Sequence, residues 1–556
     1  MSKPTIAIYG IKDRNNFEYP AFVHDHNMCI MQDGRIQQYI HLERLTRRKY
    51  DNRLDLFIEN LIEEKQINCD NDFDLVCVND FVGNSFISKN GRIRFEVDRQ
   101  QELKFKLKKG YAYYQYNGWD GNNIDGWLCQ HEVAHICSTL PFYGEFRENS
   151  LLLSIDGGSS LGNYAAFIYK GNKFHLIENN WNDLGFASKL FNDNSLSFKI
   201  LGASPGMHCS VPGKLMGFAS YGKYDEKIAK WLVNNNYFKE YWNKENEILD
   251  AIKRDFGVTA SYNTRDNFMQ NIAATMQGIF EKAIIQKIEQ LQKKYKCEYL
   301  YYGGGCALNI VTNTKIVESG MFRDVFIAPC CNDSGLSIGA AALMEIKKGN
   351  TIYQHNAYLC NVGLKEQNNY LNDKDIELTA KMLTEGKIIG ICNGVAEAGP
   401  RALGNRSIIA IANNKELSLK ISMDIKKREW YRPVAPIMLK KIAEQFTGQK
   451  MCELTKYMLM DYKIKTENQK IIEGVIHTNG TSRIQTIENL SDNPFMYKLL
   501  NIMNEKYGIK ALINTSFNIQ GEPIIHTIED AKNSARIMNL DGIVLNGKYI
   551  ETNNIQ

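Results

Sequence analysis

The sequence predicts a mixed α/β protein built in two parts. Apolar runs with strand character, such as Thr5 to Ile11, alternate with segments of helical periodicity, such as Asn271 to Tyr295. This regular pattern lapses between Asn350 and Gln367, and helices and strands alternate again after it. We therefore expect one domain over residues 1–355 and a second over residues 356–556.

The composition is ordinary for a soluble globular protein: 556 residues, 44% of them hydrophobic and 23% charged. A net charge of +4 on this length indicates no general nucleic-acid footprint. The 13 cysteines are odd in number and include no C-x-x-C pair, which favours reduced thiols in a cytoplasm. No run approaches 18 apolar residues, so we expect no membrane-spanning helix. The sequence leaves open whether the protein is a homo-oligomer.

The first elements after Thr5 to Ile11 are a hairpin and a helix. Met28 to His41 is typical of a hairpin, because Asp33-Gly34 readily takes the positive φ angles of a tight turn. The loop before it carries His24 and Asp25. The charged stretch after it, Leu42 to Arg53, is typical of a solvated surface when taken alone.

An aromatic and basic segment occupies Gly83 to Gly121. Lysines interleaved with tyrosines form stacking surfaces for nucleic acids in some proteins. A subunit contact or a lid over a site is at least as good an interpretation, and the modest net charge favours those two.

A metal site is predicted between Gln130 and Gly158. His131 and His135 lie four residues apart, so a helix would place both imidazoles on one face. Asp156 follows an apolar run at the point where a strand would end in a glycine turn, and Asp333 stands at a later strand-to-helix turn. Two imidazoles with carboxylates suit a divalent transition metal.

Two alternatives compete for the same histidines. HEVAH also spells the H-E-x-x-H pattern of zinc proteases, with Glu132 as the general base. Against that pattern, Pro141 follows closely and no further ligand motif appears. The other alternative is a pair of histidines on a partly buried helix.

Glycine-rich segments indicate anion or nucleotide binding. Lys214 lies beside glycines in a segment, Pro212 to Gly222, that is predicted to be a loop able to meet a phosphate. Gly303 to Asn309 joins a strand to a helix, and glycines there bring backbone N–H groups close to an anion.

The second part is rich in arginines held by Gly and Pro turns. They are accompanied by one lysine and by the hydroxyl and amide side chains of an INTSFNIQGEP segment. An arginine matches phosphate or carboxylate with a planar fork, so several in one pocket indicate an anionic substrate. The candidates are Arg401, Arg406, Lys426, Arg428, Arg432, Arg483 and Ser516.

Taken together, these motifs resemble those of the O-carbamoyltransferases, the family of the nodulation, tobramycin and cephalosporin carbamoyltransferases. The resemblance runs in order along nearly the whole chain, and only Gly83 to Gly121 matches no family motif. It is carried by HEVAH, SIDGG, PGKLMGFASYG, GGGCALN, CNDSGLSIGAA, GPRALGNRSI, KKREWYRPVAP, HTNGTSRIQT and INTSFNIQGEPI.

The resemblance implies an actin-like (ASKHA, TsaD-like) N-terminal domain and a YrdC-like C-terminal domain. It implies that the second domain makes carbamoyladenylate from carbamoyl phosphate and ATP with Mg²⁺. The first domain would then pass the carbamoyl group to a hydroxyl of a small acceptor, such as a sugar or a secondary-metabolite scaffold. A tRNA-modifying transferase with the same two domain types is the leading alternative.

Carried over by motif, the resemblance also implies roles for individual residues. The implied metal ligands are His131, His135, Asp156 and Asp333, with Fe(II) as the ion. The implied adenosine-binding residues are Gly303, Gly304, Gly305 and Asn309, near Gly157 and Gly158 of the DGG turn. The implied carbamoyl phosphate or nucleotide contacts are Arg401, Lys426, Arg432, Arg483 and Ser516. The implied acceptor-site residues are His24, Asp25 and Lys49, with His24 as the base.

Four places depart from the family pattern. Leu42 stands where a second glutamate is frequent, His26 stands where a small residue is usual, and Asn479 stands where an aspartate is common. The run Ala396-Glu397-Ala398 before GPRALG is smaller than the bulkier run expected there.

Overall fold

The predicted mixed α/β architecture is confirmed. The computed structural model describes residues 3–10, 23–67, 72–80, 83, 85–95, 111–119, 122–159, 162–179, 196–203, 208–235, 245–365 and 371–555. Its strands are β1 (Thr5–Tyr9), β2 (Asn27–Gln32), β3 (Arg35–His41), β4 (Asp74–Val78), β5 (Phe86–Ile87), β6 (Arg94–Phe95), β7 (Tyr111–Trp119), β8 (Asn122–Cys129), β9 (Ser150–Ser159), β10 (Gly162–Lys170), β11 (Lys173–Asn179), β12 (Tyr299–Gly303), β13 (Asp324–Phe326), β14 (Tyr358–Cys360), β15 (Ile389–Cys392), β16 (Ala396–Glu397), β17 (Arg406–Ile411), β18 (Ala435–Leu439), β19 (Tyr462–Lys463), β20 (Thr481–Ser482), β21 (Gln485–Ile487), β22 (Leu512–Ser516), β23 (Gly542–Leu545) and β24 (Lys548–Glu551).

The α-helices are numbered in the same way. They are α1 (Leu42–Thr46), α2 (Leu54–Glu63), α3 (His131–Cys137), α4 (Leu140–Tyr143), α5 (Leu196–Leu201), α6 (Val211–Ala219), α7 (Glu226–Asn234), α8 (Glu245–Phe256), α9 (Asn267–Tyr295), α10 (Ile310–Glu318), α11 (Leu336–Lys347), α12 (Asp373–Thr384), α13 (Lys415–Leu419), α14 (Lys440–Thr447), α15 (Thr466–Gln469), α16 (Pro494–Tyr507) and α17 (Ile528–Ile537). Among the described residues, no helix is long and apolar enough to cross a membrane.

The first part of the chain contains two sheets with a repeated strand order. The first sheet runs β3-β2-β1-β4-β8-β7, and the second runs β11-β10-β9-β12-β13. In each, the first strand pairs antiparallel with the second on one side and parallel with the fourth on the other. The carboxyl ends of the parallel strands therefore meet on one edge, which is where ligands bind in open α/β sheets.

The second part is built on one seven-stranded mixed sheet, β21-β18-β22-β17-β15-β23-β24. A buried apolar cluster joins it to the second sheet of the first part, because Ile155 and Leu300 belong to the same cluster as Ile391 and Ile437. The two parts thus share packed apolar surface.

The local predictions are confirmed for the hairpin and wrong in two glycine-rich segments. Asp33 and Gly34 both have positive φ, 49° and 74°, as the tight turn requires. The strand predicted to end at Asp156 continues through the glycines to Ser159, because β10 pairs with it as far as Gly162. Pro212 to Gly222 is mostly the helix α6 rather than a loop, since proline is accepted in a first helical turn.

The segment from Gly83 to Gly121 is only partly described. Its ends form the hairpin β5–β6 and the strand β7, which pairs antiparallel with β8 at the edge of the first sheet. The clustered lysines of the predicted lid, subunit contact or stacking surface lie within residues 96–110, outside the described residues, and its tyrosines lie on β7. The prediction therefore stays untested.

Candidate active site

The structure brings His131, His135 and Asp333 together. Both histidines lie on the buried helix α3, and Asp333 lies just before α11. The Nε2 atoms of His131 and His135 lie 3.6 and 3.5 Å from Oδ1 of Asp333. Helix α11 approaches α3 closely because Gly339 carries no side chain: a Cβ there would lie 1.8 Å from the carbonyl oxygen of Ala134.

These three residues fit a divalent metal ion. Their ligand atoms lie within 4.8 Å of one another, and all three residues are buried. Nε2 of His131 and both ring nitrogens of His135 are buried without a hydrogen-bond partner in the described part of the chain. Because such orphaned polar atoms are costly, an ion that accepts one lone pair from each histidine would remove much of the penalty.

Asp156 stands at the edge of this cluster. Its Oδ2 lies 3.5 Å from Nε2 of His135 and also accepts a hydrogen bond from the Gly305 N–H. Its Oδ1 accepts from the backbone N–H groups of Gly157 and Gly158 at 2.6 and 3.4 Å. The glycines predicted to bind nucleotide thus also hold a predicted metal ligand.

Two further residues of the cluster were missed by the sequence analysis. Asp80 places Oδ2 3.4 Å from Nδ1 of His131, and the Tyr9 hydroxyl donates to both Asp80 and Asp333 at 3.2 Å. Asp80 follows the end of β4, a position that could have identified it. Tyr9 ends a buried strand and carries no comparable signal.

The predicted adenosine turn adopts a glycine-dependent conformation. Gly304 has a φ of +93°, and its N–H donates to the carbonyl of Cys331. A Cβ on Gly303 would lie 2.7 Å from the carbonyl oxygen of His135, so this turn packs directly on the metal helix. Asn309 caps α10 by accepting from the Thr312 N–H, and its amide also pairs with Gln277.

His24 and Asp25 lie beside the metal cluster. Nδ1 of His24 lies 3.0 Å from Oδ2 of Asp25 and 3.7 Å from Oδ2 of Asp333. Burial by itself would lower the pKa of His24, but the neighbouring Cys209, Asp333 and Asp25 hold it well above its usual value. Burial by itself would raise the pKa of Asp25, yet hydrogen bonds from His24 and His41 hold it well below its usual range.

The stretch from Leu42 to Arg53 is not the solvated surface that its charge alone predicts. Glu43 and Arg44 are buried at 7% and 1% exposure. Lys49 interacts electrostatically with Glu43 and Asp25 on its own side and with Arg432 and Arg428 of the second part. Tyr50 packs its ring edge against His24 at 6.1 Å between ring centroids. This stretch therefore joins the acceptor-site candidates to the arginines.

The arginines of the second part form one electrostatic cluster, which also includes Arg428. Withdrawal from solvent lowers the pKa of Arg428 to about 9, and the charges of Arg432 and Arg401 add to that effect. Withdrawal from solvent and the charges of the same three arginines lower the pKa of Arg483. The Nε atoms of Arg401 and Arg483 are buried and lack a hydrogen-bond partner among the described residues. Mutually repelling guanidinium groups with free donors are suited to an anion.

Lys426, Ser516 and Asn518 form a hydrogen-bonded group beside this cluster. Nζ of Lys426 donates to the carbonyl of Ser516 and to the side chain of Asn518, both at 2.7 Å. Nη2 of Arg428 lies 3.3 Å from the Ser516 hydroxyl. Arg406, in contrast, lies outside the cluster, since its guanidinium is buried against the backbone carbonyls of Asn393, Gly394 and His526.

Lys214 does not lie on a loop; it pairs with a residue of the other part. Its Nζ lies 2.6 Å from Oε1 of Glu429, and Oε2 of Glu429 lies 3.3 Å from Nη1 of Arg432. A carboxylate thus sits between two cations that were predicted to meet phosphate.

Curated relatives include nodulation proteins. The chain is 26% identical to nodulation protein NolNO of Sinorhizobium fredii, over 96% of this chain and 80% of that protein. It is 27% identical to nodulation protein NolO of Bradyrhizobium diazoefficiens, over 75% of this chain and 77% of that protein. It is also 28% identical to an uncharacterized protein of Methanocaldococcus jannaschii, over 76% of this chain and 73% of that protein.

Similar solved structures include two of HypF. The full-length, phosphate- and nucleotide-bound form is 20% identical, with a TM-score of 0.23, over 32% of this chain and 21% of that chain. HypF of T. kodakarensis is 11% identical, with a TM-score of 0.30, over 62% of this chain and 48% of that chain. These likenesses are too distant to bear on the site.

The family models match most of the chain. Residues 18–342 match the model described as carbamoyltransferase N-terminus, and residues 380–552 match the model described as carbamoyltransferase C-terminus. The predicted resemblance is therefore confirmed, and it favours carbamoyl transfer over the zinc-protease alternative. The chain belongs to the carbamoyltransferase family and is a carbamoyltransferase.

Proposed function

We propose that this enzyme is an O-carbamoyltransferase with two sites. In the proposal, residues 356–556 form a YrdC-like domain that makes carbamoyladenylate, and residues 1–355 form an actin-like domain that transfers its carbamoyl group to an alcohol. The repeated strand order of the two N-terminal sheets is what a duplicated, actin-like domain would have. The observation that carries the proposal is the link through Lys49 and Tyr50 between the His24 region and the arginine cluster.

The first reaction is assigned to the arginine cluster. Water hydrolyses carbamoyl phosphate to carbamate and inorganic phosphate, and a carbamate oxygen then attacks the α-phosphorus of ATP. Pyrophosphate leaves, and carbamoyladenylate is formed. The phosphate groups bind to Arg401, Arg432 and Arg483, because the paired N–H groups of a guanidinium match phosphate oxygens in charge and shape. Lys426 and Ser516 lie at the side of this pocket.

The second reaction is assigned to the His24 region. The adenosine of the intermediate binds at Gly303–Gly305 and Asn309, near Gly157 and Gly158. The acceptor hydroxyl attacks the carbamoyl carbon, the neutral form of His24 takes its proton at Nε2, and AMP leaves with the electrons of the broken bond between the carbamoyl carbon and the phosphate oxygen. Because neighbouring groups hold the pKa of His24 well above its usual value, transfer should become faster as the pH rises and this imidazole loses its proton. Asp25 orients His24 through Nδ1, and Lys49 contributes positive charge beside the adenylate.

His131, His135 and Asp333, with Asp156, would hold one divalent ion, which we propose to be Fe(II); when bound, it would stabilise negative charge on the adenylate phosphate. Mg²⁺ would accompany ATP, as it usually does in phosphate chemistry. The acceptor is a hydroxyl-bearing small molecule.

The test separates the two reactions. Pyrophosphate release from ATP should depend on carbamoyl phosphate, and a metabolite extract should yield a compound heavier by one carbamoyl group. His24→Ala should keep pyrophosphate release and lose that product, whereas His175→Ala, a change at an exposed histidine on β11, should lose neither. Product formation by His24→Ala at the rate of the unmodified enzyme would remove His24 from the mechanism. A carbamoylated tRNA in place of a small product would support the tRNA-modifying alternative.

A further inference from the structure

A row of three buried side chains lies behind His24. Asp25, His41 and Glu43 are exposed by only 2%, 4% and 7%. Nε2 of His41 lies 2.8 Å from Oδ1 of Asp25, while the other oxygen of Asp25 faces Nδ1 of His24 at 3.0 Å. On the far side, Nδ1 of His41 lies 3.7 Å from Oε1 of Glu43. The row therefore runs from Glu43 through His41 and Asp25 to His24.

The backbone holds this row in place at both ends. Asp25 has a φ of +58°, a left-handed conformation that costs energy for any residue but glycine. The Asn27 amide fixes it by donating to the Asp25 carbonyl at 2.6 Å. At the other end, Oε2 of Glu43 accepts a hydrogen bond from the backbone N–H of Tyr50. Tyr50 is also in a left-handed conformation, with a φ of +59°, and its ring packs against the ring of His24.

The same three residues are better described as a hydrogen-bonded row than as a second metal site. Their ligand atoms do lie within 4.8 Å of one another. However, the two ring nitrogens of His41 face different carboxylates, and both oxygens of Asp25 already have histidine partners. A single ion would have to break these contacts to collect one atom from each residue.

We propose that His41 is a positioning residue for His24, acting through Asp25. The Nε2–H group of His41 fixes one oxygen of the Asp25 carboxylate at 2.8 Å, so the other oxygen stays directed at Nδ1 of His24. The Asn332 amide donates to that second oxygen at 3.3 Å and supports the same orientation. A hydrogen-bond partner on one imidazole nitrogen fixes the orientation of the ring. This contact therefore directs the opposite edge of the His24 ring, which carries Nε2, away from Asp25. The inference rests on the proposed function for the role of His24, but the arrangement itself is testable without any acceptor.

The experiment is nitrogen NMR on the full-length protein with ¹⁵N-labelled histidine rings. His24→Asn and His41→Gln serve to assign the two sets of resonances. In the unmodified protein, Nε2 of His41 and Nδ1 of His24 should both show the shift of a protonated nitrogen. An unprotonated Nε2 on His41 would overturn the proposal without any variant being needed.

The variants then test the coupling. His41→Phe keeps a ring at this position but has no donor, so Asp25 should lose its fixed position and the Nδ1 shift of His24 should change. His41→Gln places an amide donor near Asp25 and should restore much of the original pattern, which a merely space-filling role would not do. His175→Gln, at the exposed position on β11, should change nothing at His24. Unchanged His24 shifts in a folded His41→Phe protein would overturn the proposal, and pyrophosphate release from the unmodified enzyme tests the proposed function separately.

Discussion

The guanidinium of Arg44 donates a hydrogen bond of 2.8 Å to the backbone carbonyl of Gly399, which lies 355 positions later in the chain. Gly399 begins the turn that carries Arg401. Three residues after Arg44, the side chain of Arg47 donates to the carbonyls of Ile524 and Pro523 at 2.7 and 2.8 Å. Because Glu43 and Tyr50 of the same stretch contact the His24 region, one short segment positions both proposed sites.

The metal assignment predicts a loss of bound metal on ligand removal. His131→Ala combined with His135→Ala removes two of the three clustered ligands, so metal content should fall to background. Elemental analysis of protein purified in the presence of Fe(II) measures this directly. The double variant leaves Asp333 and Asp80 in place, so full occupancy in that protein would show that the ion binds elsewhere. His175→Ala supplies the control for removal of a histidine as such.

The adenosine turn predicts a contrast between two glycines with similar φ angles. Gly304 and Gly349 have φ of +93° and +84°, so alanine at either should cost about 1–3 kcal/mol in backbone strain. At Gly304 the new Cβ would also lie 2.1 Å from the carbonyl oxygen of Ile155, whereas at Gly349 nothing lies within 4 Å. Chemical denaturation should therefore show a clearly larger loss of unfolding free energy for Gly304→Ala. Equal losses would mean that the turn relaxes freely.

Much of the fold follows from local patterns, but the pairing between distant residues does not. The hairpin at Asp33-Gly34 and the helix carrying His131 were predictable because turn chemistry and helical spacing act within a few residues. The roles of Tyr9 and Glu429 were not, because each depends on a partner more than 70 positions away or in the other part of the chain.

The two glycine-rich segments show the same limit. Gly157 and Gly158 lie within β9, in an irregular stretch between the pairs that Ile155 and Ser159 form with β10. Tertiary pairing overrides the turn preference of glycine there. Family motifs pointed to Asp333 and Arg401, but not to His41, which directly precedes Leu42, one of the positions where this chain departs from the family pattern.

A buried histidine predicts how stability changes in acid. His526 is fully buried, and burial together with the charge of Arg406 lowers its pKa from 6.5 to about 3. Its Nε2 lies 2.7 Å from the carbonyl of Val362, and its Nδ1 has no hydrogen-bond partner among the described residues. Between those two pH values His526 binds a proton in the unfolded chain but not in the folded chain. The contribution of His526 to the free energy of unfolding is therefore intact above pH 6.5 and is lost as the pH falls.

The slope for one such group is at most about 1.4 kcal/mol per pH unit. Urea unfolding at a series of pH values below 6.5 should show a shallower acid dependence for His526→Gln than for the unmodified protein. His175→Gln, at an exposed site, should retain the original dependence. A His526→Gln protein with the same acid slope would show that the ring is protonated in the folded state.

The last prediction is that the two reactions can be separated by mutation. A carbamoyladenylate is a reactive mixed anhydride, and water would destroy it if it left the protein, so the two sites should exchange it along a protected path. The Tyr50 ring packs against His24, and Lys49 and Tyr50 both interact electrostatically with Arg432, so the two residues lie where such a path would run. Arg432→Ala removes a phosphate fork at a cost of about 2–5 kcal/mol in binding, and Arg432→Lys should also be poor because lysine has no fork. Both variants should lose pyrophosphate release, yet Arg432→Ala should still carbamoylate the acceptor when carbamoyladenylate is supplied.

His131→Ala should fail with the same supplied compound, because it loses a metal ligand of the transfer site. Arg254→Ala, at an exposed arginine on α8, should affect neither reaction. If folded Arg432→Ala protein cannot use supplied carbamoyladenylate, the arginines and His24 belong to one composite site, and the transfer between two sites is wrong.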